Sequence, residues 1–207
     1  SKKHDYDSKG VRARLQDAFK LKSGGKEPYD WQVNVTEAIL LGLDCMVIAG
    51  TGSGQTMSFV MPLFLEENKN KIVIILSPLN ELERDQARWF REMGLSAAAV
   101  NGESWAPKLE NDIKSRKYQV LITSPEMLLR HAPFRHVISN HKFSKDILAA
   151  VVDESHCIPQ WGDKFRKENK NVGQMCSLFP SDVPVLATTA TVSPEVVLQK
   201  SKWSEVA

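Results

Sequence analysis

Three glycines at alternate positions, Gly50, Gly52 and Gly54, lie between the apolar run Cys45–Ala49 and a stretch of helical spacing. Glycines so placed let successive backbone N–H groups turn inward and approach phosphate oxygens. A helix starting at once presents its positive end to the same anion, and a hydroxyl there suits Mg2+. Gly50, Thr51, Gly52, Ser53, Gly54, Gln55 and Thr56 are therefore the candidate triphosphate-binding residues, with Thr56 in the magnesium position. Read alone, the same string is also compatible with a glycine-rich turn that binds nothing. Where the phosphate-loop pattern has lysine, this chain has Gln55. Lysine brings a point charge to the outer phosphates, and glutamine brings only a neutral amide. Loss of a charge-assisted hydrogen bond costs about 1.5–3 kcal/mol in ground-state binding. The cost to phosphoryl transfer is larger, because charge builds on those oxygens in the transition state. The expectation is a loop that holds nucleotide and turns it over poorly.

About one hundred residues further on, the apolar run Leu148–Val152 delivers Asp153 and Glu154. An acidic pair at the end of a buried strand can hold Mg2+ through Asp153 and polarise an attacking water through Glu154. Alone the pair also reads as a solvated loop; its order and spacing after the glycine loop favour the chemical reading.

These residues need strands to present them. Five apolar runs, Cys45–Ala49, Ile72–Leu76, Val120–Thr123, Leu148–Val152 and Val185–Thr188, read as strands buried on both faces, with a weaker one at Ala97–Val100. Helical spacing occupies residues 8–22, with Val11, Leu15, Ala18 and Phe19 on one face, and returns at Trp31, Val35, Ala38 and Ile39. Ser23-Gly24-Gly25-Lys26 reads as a break between the two. A helix is expected over Thr56–Glu66, and another from Asn80 through Arg91 with Glu83 in a capping box. Ser124-Pro125-Glu126 and Ser193-Pro194-Glu195 carry helix-start signals. His131–Phe143, with four His or Arg and little periodicity, reads as an irregular connection. Alternating strands and helices give an α/β fold with a mostly parallel sheet flanked by helices.

Composition bounds the rest. The 207 residues suit one α/β domain with a small N-terminal appendage, and 42% apolar residues support a core. A net charge of +2 neither requires nor excludes a nucleic-acid partner. Cys45, Cys157 and Cys176 are scattered, which argues against a disulfide framework and a zinc site. No apolar run has the roughly 18–20 residues of a membrane span. The missing Met and abrupt end lead us to expect a piece of a longer protein.

Asp153-Glu-Ser-His156 followed by Cys157-Ile-Pro-Gln-Trp-Gly-Asp-Lys-Phe-Arg166 resembles the DEAH box and aromatic-rich loop of RecQ-like, superfamily 2 ATP-dependent DNA helicases. Ser77–Gln86 is similar to that family's motif Ia, Thr123–Leu129 to motif Ib and Thr189-Ala-Thr191 to motif III, and Gln32 matches its adenine-reading glutamine. Ser155 stands for the usual Ala, Pro159 for a Ser, and Pro28-Tyr29-Asp30-Trp31 departs from the common Phe-Arg start.

The resemblance implies a first RecA-like lobe over residues 26–207, with 1–25 as a helical appendage. It implies ATP and Mg2+ as cofactors, and no zinc in this stretch. His156 joins Asp153 and Glu154 as a catalytic candidate, and Gln160, Trp161, Phe165, Arg166 and Ser77 become DNA-contacting or coupling candidates. Stacking of single-stranded bases on Trp161 or Phe165 is worth about 1–3 kcal/mol per base; by themselves the two aromatics also fit core packing. Single-stranded or partly duplex DNA and a second RecA-like lobe are the implied partners, with no membrane and a nuclear location. Two other readings stand beside this one: a catalytically dead nucleotide- or DNA-binding module, favoured by Gln55, and an RNA-directed helicase-like ATPase, opposed by the Cys157–Arg166 string.

Overall fold

The computed structural model describes residues 6–50, 52–77, 80–155, 175 and 177–190. Among them, six strands form one sheet in which every pairing is parallel: β1 (Cys45–Ile48), β2 (Ile72–Leu76), β3 (Ala97–Val100), β4 (Val120–Thr123), β5 (Ile147–Val152) and β6 (Val185–Thr189), in the order β1-β6-β5-β2-β4-β3. All five expected strands and the weaker sixth are present, with ends shifted by at most one residue. Their continuous apolar character has a direct cause. Val73 and Ile75 of β2 enter one core, while Ile72, Ile74 and Leu76 enter the other. A sheet covered on both faces leaves no polar position along such a strand.

Helices α1 (Ser8–Lys22), α2 (Asp30–Leu40) and α3 (Gln55–Val60) supply the first cover. Asp7 caps α1 by accepting from the Gly10 amide at 3.0 Å, and Leu15 and Phe19 bury in the same core as α2 and α3. The Glu37 carboxylate of α2 ties α1 down by accepting from Arg12 at 2.8 Å and from the Ser8 hydroxyl. Helices α4 (Asn80–Glu92), α5 (Pro107–Lys114), α6 (Pro125–Arg130), α7 (Ala132–Ser139) and α8 (His141–Ser144) complete the layers.

Three local expectations need correction. The helix expected over Thr56–Glu66 stops at Val60 and gives way to 3-10 turns at Met61–Phe64 and Glu66–Asn68. Pro62 has no N–H for the Ser58 carbonyl; the Thr36 hydroxyl lies 2.8 Å from that carbonyl and 2.8 Å from the Gln32 carbonyl, and its one proton serves the two between them. His131–Phe143 is helical, because Pro133 opens α7, His131 Nδ1 accepts from the Phe134 amide at 3.2 Å, and Phe134, Val137 and Ile138 bury at helical spacing. Glu83 forms no capping box: it is fully buried, one carboxylate oxygen accepts from Asn101 Nδ2 at 3.0 Å, and the other has no hydrogen-bond partner among the described residues. The cap expected at Ser124 is present, its hydroxyl accepting from the Met127 amide at 3.2 Å. The start signal at Ser193-Pro194-Glu195 falls outside the described residues.

Edge strand β3 is protected on its outer side. Arg91 donates to the Ala97 carbonyl at 3.0 Å and the Ser104 hydroxyl to the Ala99 carbonyl at 2.9 Å. Parallel strands also bring all six C-terminal ends to one edge of the sheet, so the glycine loop after β1, Ser77 after β2 and Asp153 after β5 share that edge. Ligands in open α/β sheets bind beyond such an edge.

Candidate nucleotide site

The glycine loop leaves β1 and returns into α3 through left-handed backbone at Gly52 (φ 80°) and Gly54 (φ 82°). A Cβ at Gly54 would also lie 2.7 Å from Gln32 Nε2, so any larger residue there would displace that amide. That amide belongs to α2 and donates to the Gly54 carbonyl at 2.8 Å, while Gln32 Oε1 accepts from the Tyr29 amide at 2.9 Å. Gln32, only 3% exposed, therefore buttresses the loop from beneath. Reading an adenine edge with these atoms requires exchanging both bonds. Thr51 lies outside the described residues.

Gln55, the first residue of α3, turns its amide back to the sheet. Nε2 donates to the Ala49 carbonyl and, at 3.2 Å, to the Thr189 carbonyl. A primary amide has two N–H donors, and both are engaged by the chain's own backbone. The side chain thus ties the end of β1 to the end of β6. Thr56 follows, half-buried, on the first turn of α3.

Asp153 continues β5, its amide donating to the Leu76 carbonyl at 2.9 Å. Its Oδ1 accepts from Thr188 Oγ1 at 2.7 Å and from the Glu154 amide at 3.0 Å, and its Oδ2 is approached by Gln86 Nε2 at 3.4 Å. Consecutive residues of β6 therefore join the two halves of the site, since Thr188 holds Asp153 and Thr189 holds Gln55. Glu154 has φ of 50°, left-handed backbone at a residue with a Cβ. Such a conformation costs about 1–2 kcal/mol and gathers at functional sites.

The residues present suit a magnesium nucleotide. Among the described residues, chain neighbours aside, no atom lies within 4 Å of where a Cβ on Gly50 or Gly52 would stand, so the loop backbone is open to a ligand on that side. The buried Ser53 hydroxyl and Gln86 Oε1 have no hydrogen-bond partner among the described residues. No cluster of three or more His, Cys, Asp or Glu suited to a metal occurs among them. Magnesium commonly takes one or two protein oxygens and fills its shell with phosphate and water, a demand that Thr56 and Asp153 can meet.

Of the other sequence candidates, Ser77 is buried at 2% exposure, its amide donating to the Thr123 carbonyl at 2.9 Å. His156, Gln160, Trp161, Phe165 and Arg166 lie outside the described residues. Sequence reasoning passed over Gln86 and Thr188. The first lies inside the motif Ia-like string and the second one residue before the motif III-like triplet. A pair of threonines closing an apolar run, Thr188 and Thr189, is the available signal for the second.

A parallel sheet flanked by helices, with a glycine loop after its first strand and an acidic pair after its fifth, defines a RecA-like P-loop domain. The chain belongs to the DEAD/DEAH box helicase family, which it matches over residues 29–199. It is 33% identical over 163 residues to the ATP-dependent DNA helicase RecQ of Pasteurella multocida, covering 77% of this chain and 24% of that protein. It is 34% identical over 173 residues to the ATP-dependent DNA helicase Q-like 4B of Arabidopsis thaliana, covering 80% and 14% respectively. The likeness is to RecQ-type helicases, and the chain spans a quarter or less of the length of these two relatives. In fold it is similar to the DUF1998 helicase MrfA, solved with DNA and AMPPNP, with a TM-score of 0.65 at 22% identity over 87% of this chain and 26% of that one. Among the described residues no helix is long and apolar enough to cross a membrane.

Proposed function

We propose that this chain is the ATP-binding lobe of a RecQ-like helicase that couples ATP hydrolysis to movement along single-stranded DNA and unwinding of duplex. Gln55 leaves this lobe able to hold nucleotide and slow to hydrolyse it. The lobe spans residues 26–207, with 1–25 as an appendage, and it works with a second RecA-like lobe. In this reading the glycine-loop amides bind the phosphates, and Thr56 and Asp153 hold Mg2+, which neutralises charge on the phosphate oxygens. Glu154 orients the attacking water, Gln32 senses adenine through the loop it supports, and His156 links the acidic box to the moving parts. Gln160, Trp161, Phe165, Arg166 and Ser77 couple DNA to the site.

The observation that carries this reading is the bridge through β6: adjacent residues Thr188 and Thr189 bind the Asp153 carboxylate and the Gln55 amide. One strand thereby couples the phosphate loop to the acidic pair. The engaged Gln55 amide supports the slow-turnover part, because neither of its donors points at a ligand without first leaving a carbonyl.

A second reading, a module that holds nucleotide or DNA without chemistry, draws on the same Gln55 contacts. The retained Asp153 and Glu154, the latter in strained backbone, favour the ATPase lineage. Bacterial and plant relatives are equally similar, so a nuclear location rests only on the eukaryotic side of that likeness. Restoring the lysine tests the function: Gln55→Lys in the full-length protein gains DNA-stimulated ATP hydrolysis, and no gain would overturn the reading.

A further inference from the structure

Two side chains outside the glycine loop and the acidic pair converge on Asp153. The register of β5 and β6 brings the first. Val152 pairs with Ala187, so the next residues, Asp153 and Thr188, stand side by side at the strand ends and point to one face. Thr188 is fully buried between β1 and β5. Valine is the ordinary occupant of such a position, having the same shape and nothing polar to satisfy. The Thr188 hydroxyl is satisfied by Asp153 Oδ1, at 2.7 Å.

The two carboxylate oxygens are held unequally. Oδ1 has two well-formed donors, Thr188 Oγ1 and the Glu154 amide at 3.0 Å. Among the described residues Oδ2 has only Gln86 Nε2 at 3.4 Å, a long and weak contact. The other end of that amide, Gln86 Oε1, is buried without a hydrogen-bond partner among the described residues. A weakly held carboxylate oxygen beside an unused acceptor matches a hydrated cation, which takes electron pairs from the carboxylate and donates water protons.

We propose that Thr188 and Gln86 are positioning residues for the magnesium-holding carboxylate. Thr188 fixes Oδ1 so that Oδ2 faces the cation, and Gln86 offers Oε1 to its water. This rests on the nucleotide-site reading of Asp153. Partners that orient a metal ligand typically contribute about 10–100-fold to metal affinity, although the Thr188 contact is to the carboxylate and not to the ion.

The test titrates MgCl2 against a fluorescent ATP analogue bound to the 207-residue chain. Thr188→Val raises the half-saturating Mg2+ concentration about tenfold, Thr188→Ser keeps the parent value, and analogue affinity in EDTA is the same in all three. Gln86→Leu, at a half-buried helix position, shifts the same midpoint in the same direction and carries the test should the valine variant not fold. A Mg2+ midpoint unchanged in both Thr188→Val and Gln86→Leu overturns the proposal. So does an equal loss of affinity in EDTA, which marks a general structural role. Analogue binding by the parent that is indifferent to Mg2+ overturns the magnesium-site reading itself, and the proposal with it.

Discussion

Replacing Glu83 with glutamine separates the cost of a buried charge from the packing around it. Glu83 sits on the second turn of α4 with no exposed surface, one oxygen accepting from Asn101 Nδ2 and the other without a hydrogen-bond partner among the described residues. Burial pushes its carboxyl up to about 7 from an ordinary 4.5, against the Asn101 hydrogen bond and the Arg84 charge, while Glu126 adds to the rise. Arg84 is itself paired with Glu103 at 2.7 Å, so it compensates the buried carboxylate only in part. Since the folded form holds its proton to higher pH than the unfolded form, the native state binds more protons between these two values. Stability therefore falls as pH rises from about 4.5 to about 7 and stays low above. At about 1.4 kcal/mol per pKa unit, full ionisation costs on the order of 3 kcal/mol. Glutamine accepts the same Asn101 bond and leaves one buried polar atom unpartnered, as the protonated acid does. Urea unfolding of both proteins near pH 5 and near pH 8 reads the effect, and other titrating groups cancel in the difference. Glu83→Gln should match the parent near pH 5 and exceed it by about 2–3 kcal/mol near pH 8. A difference that is the same at both ends would refute the argument.

Thr36→Val removes the hydroxyl whose proton the Ser58 and Gln32 carbonyls share, leaving the Ser58 carbonyl without that donor. It should cost about 1–3 kcal/mol, seen as a lower denaturant midpoint, and an unchanged midpoint would show that the carbonyl finds another partner. Phe134→Ala should cost about 3–5 kcal/mol. It should also shift Trp105 fluorescence, because the two rings meet edge-on with centroids 5.7 Å apart; an unmoved emission maximum would contradict that contact.

The sheet was legible in the sequence because a strand buried on both faces has no room for polar alternation, and each expected run became a strand. The His and Arg residues of His131–Phe143 obscure its periodicity, while Pro133 and the spacing of Phe134, Val137 and Ile138 carry the helical signal. Pro62 was likewise visible as a helix breaker, but the compensating Thr36 bond links residues 22 positions apart and has no local sequence trace. The same holds at the site. The glycine loop and acidic pair announce themselves by residue type, whereas the Thr188 contact depends on β5–β6 register, and Gln55's donors meet carbonyls at the ends of two different strands. Glu83 matched a capping pattern by spacing, yet the direction in which α4 faces sent it into the interior.

The central claim is that Gln55 leaves the loop able to hold nucleotide, at reduced affinity, and costs turnover more than it costs binding. Affinity for MgATP and the DNA-stimulated hydrolysis rate, measured together on the full-length protein and its Gln55→Lys variant, test it most directly. The account predicts that lysine tightens binding by about 10–100-fold, the worth of one charge-assisted hydrogen bond, while hydrolysis at saturating ATP rises by a larger factor because the added charge meets the transition state. A variant that binds more tightly with no faster turnover, or a parent that already hydrolyses ATP as fast as the variant, would contradict it.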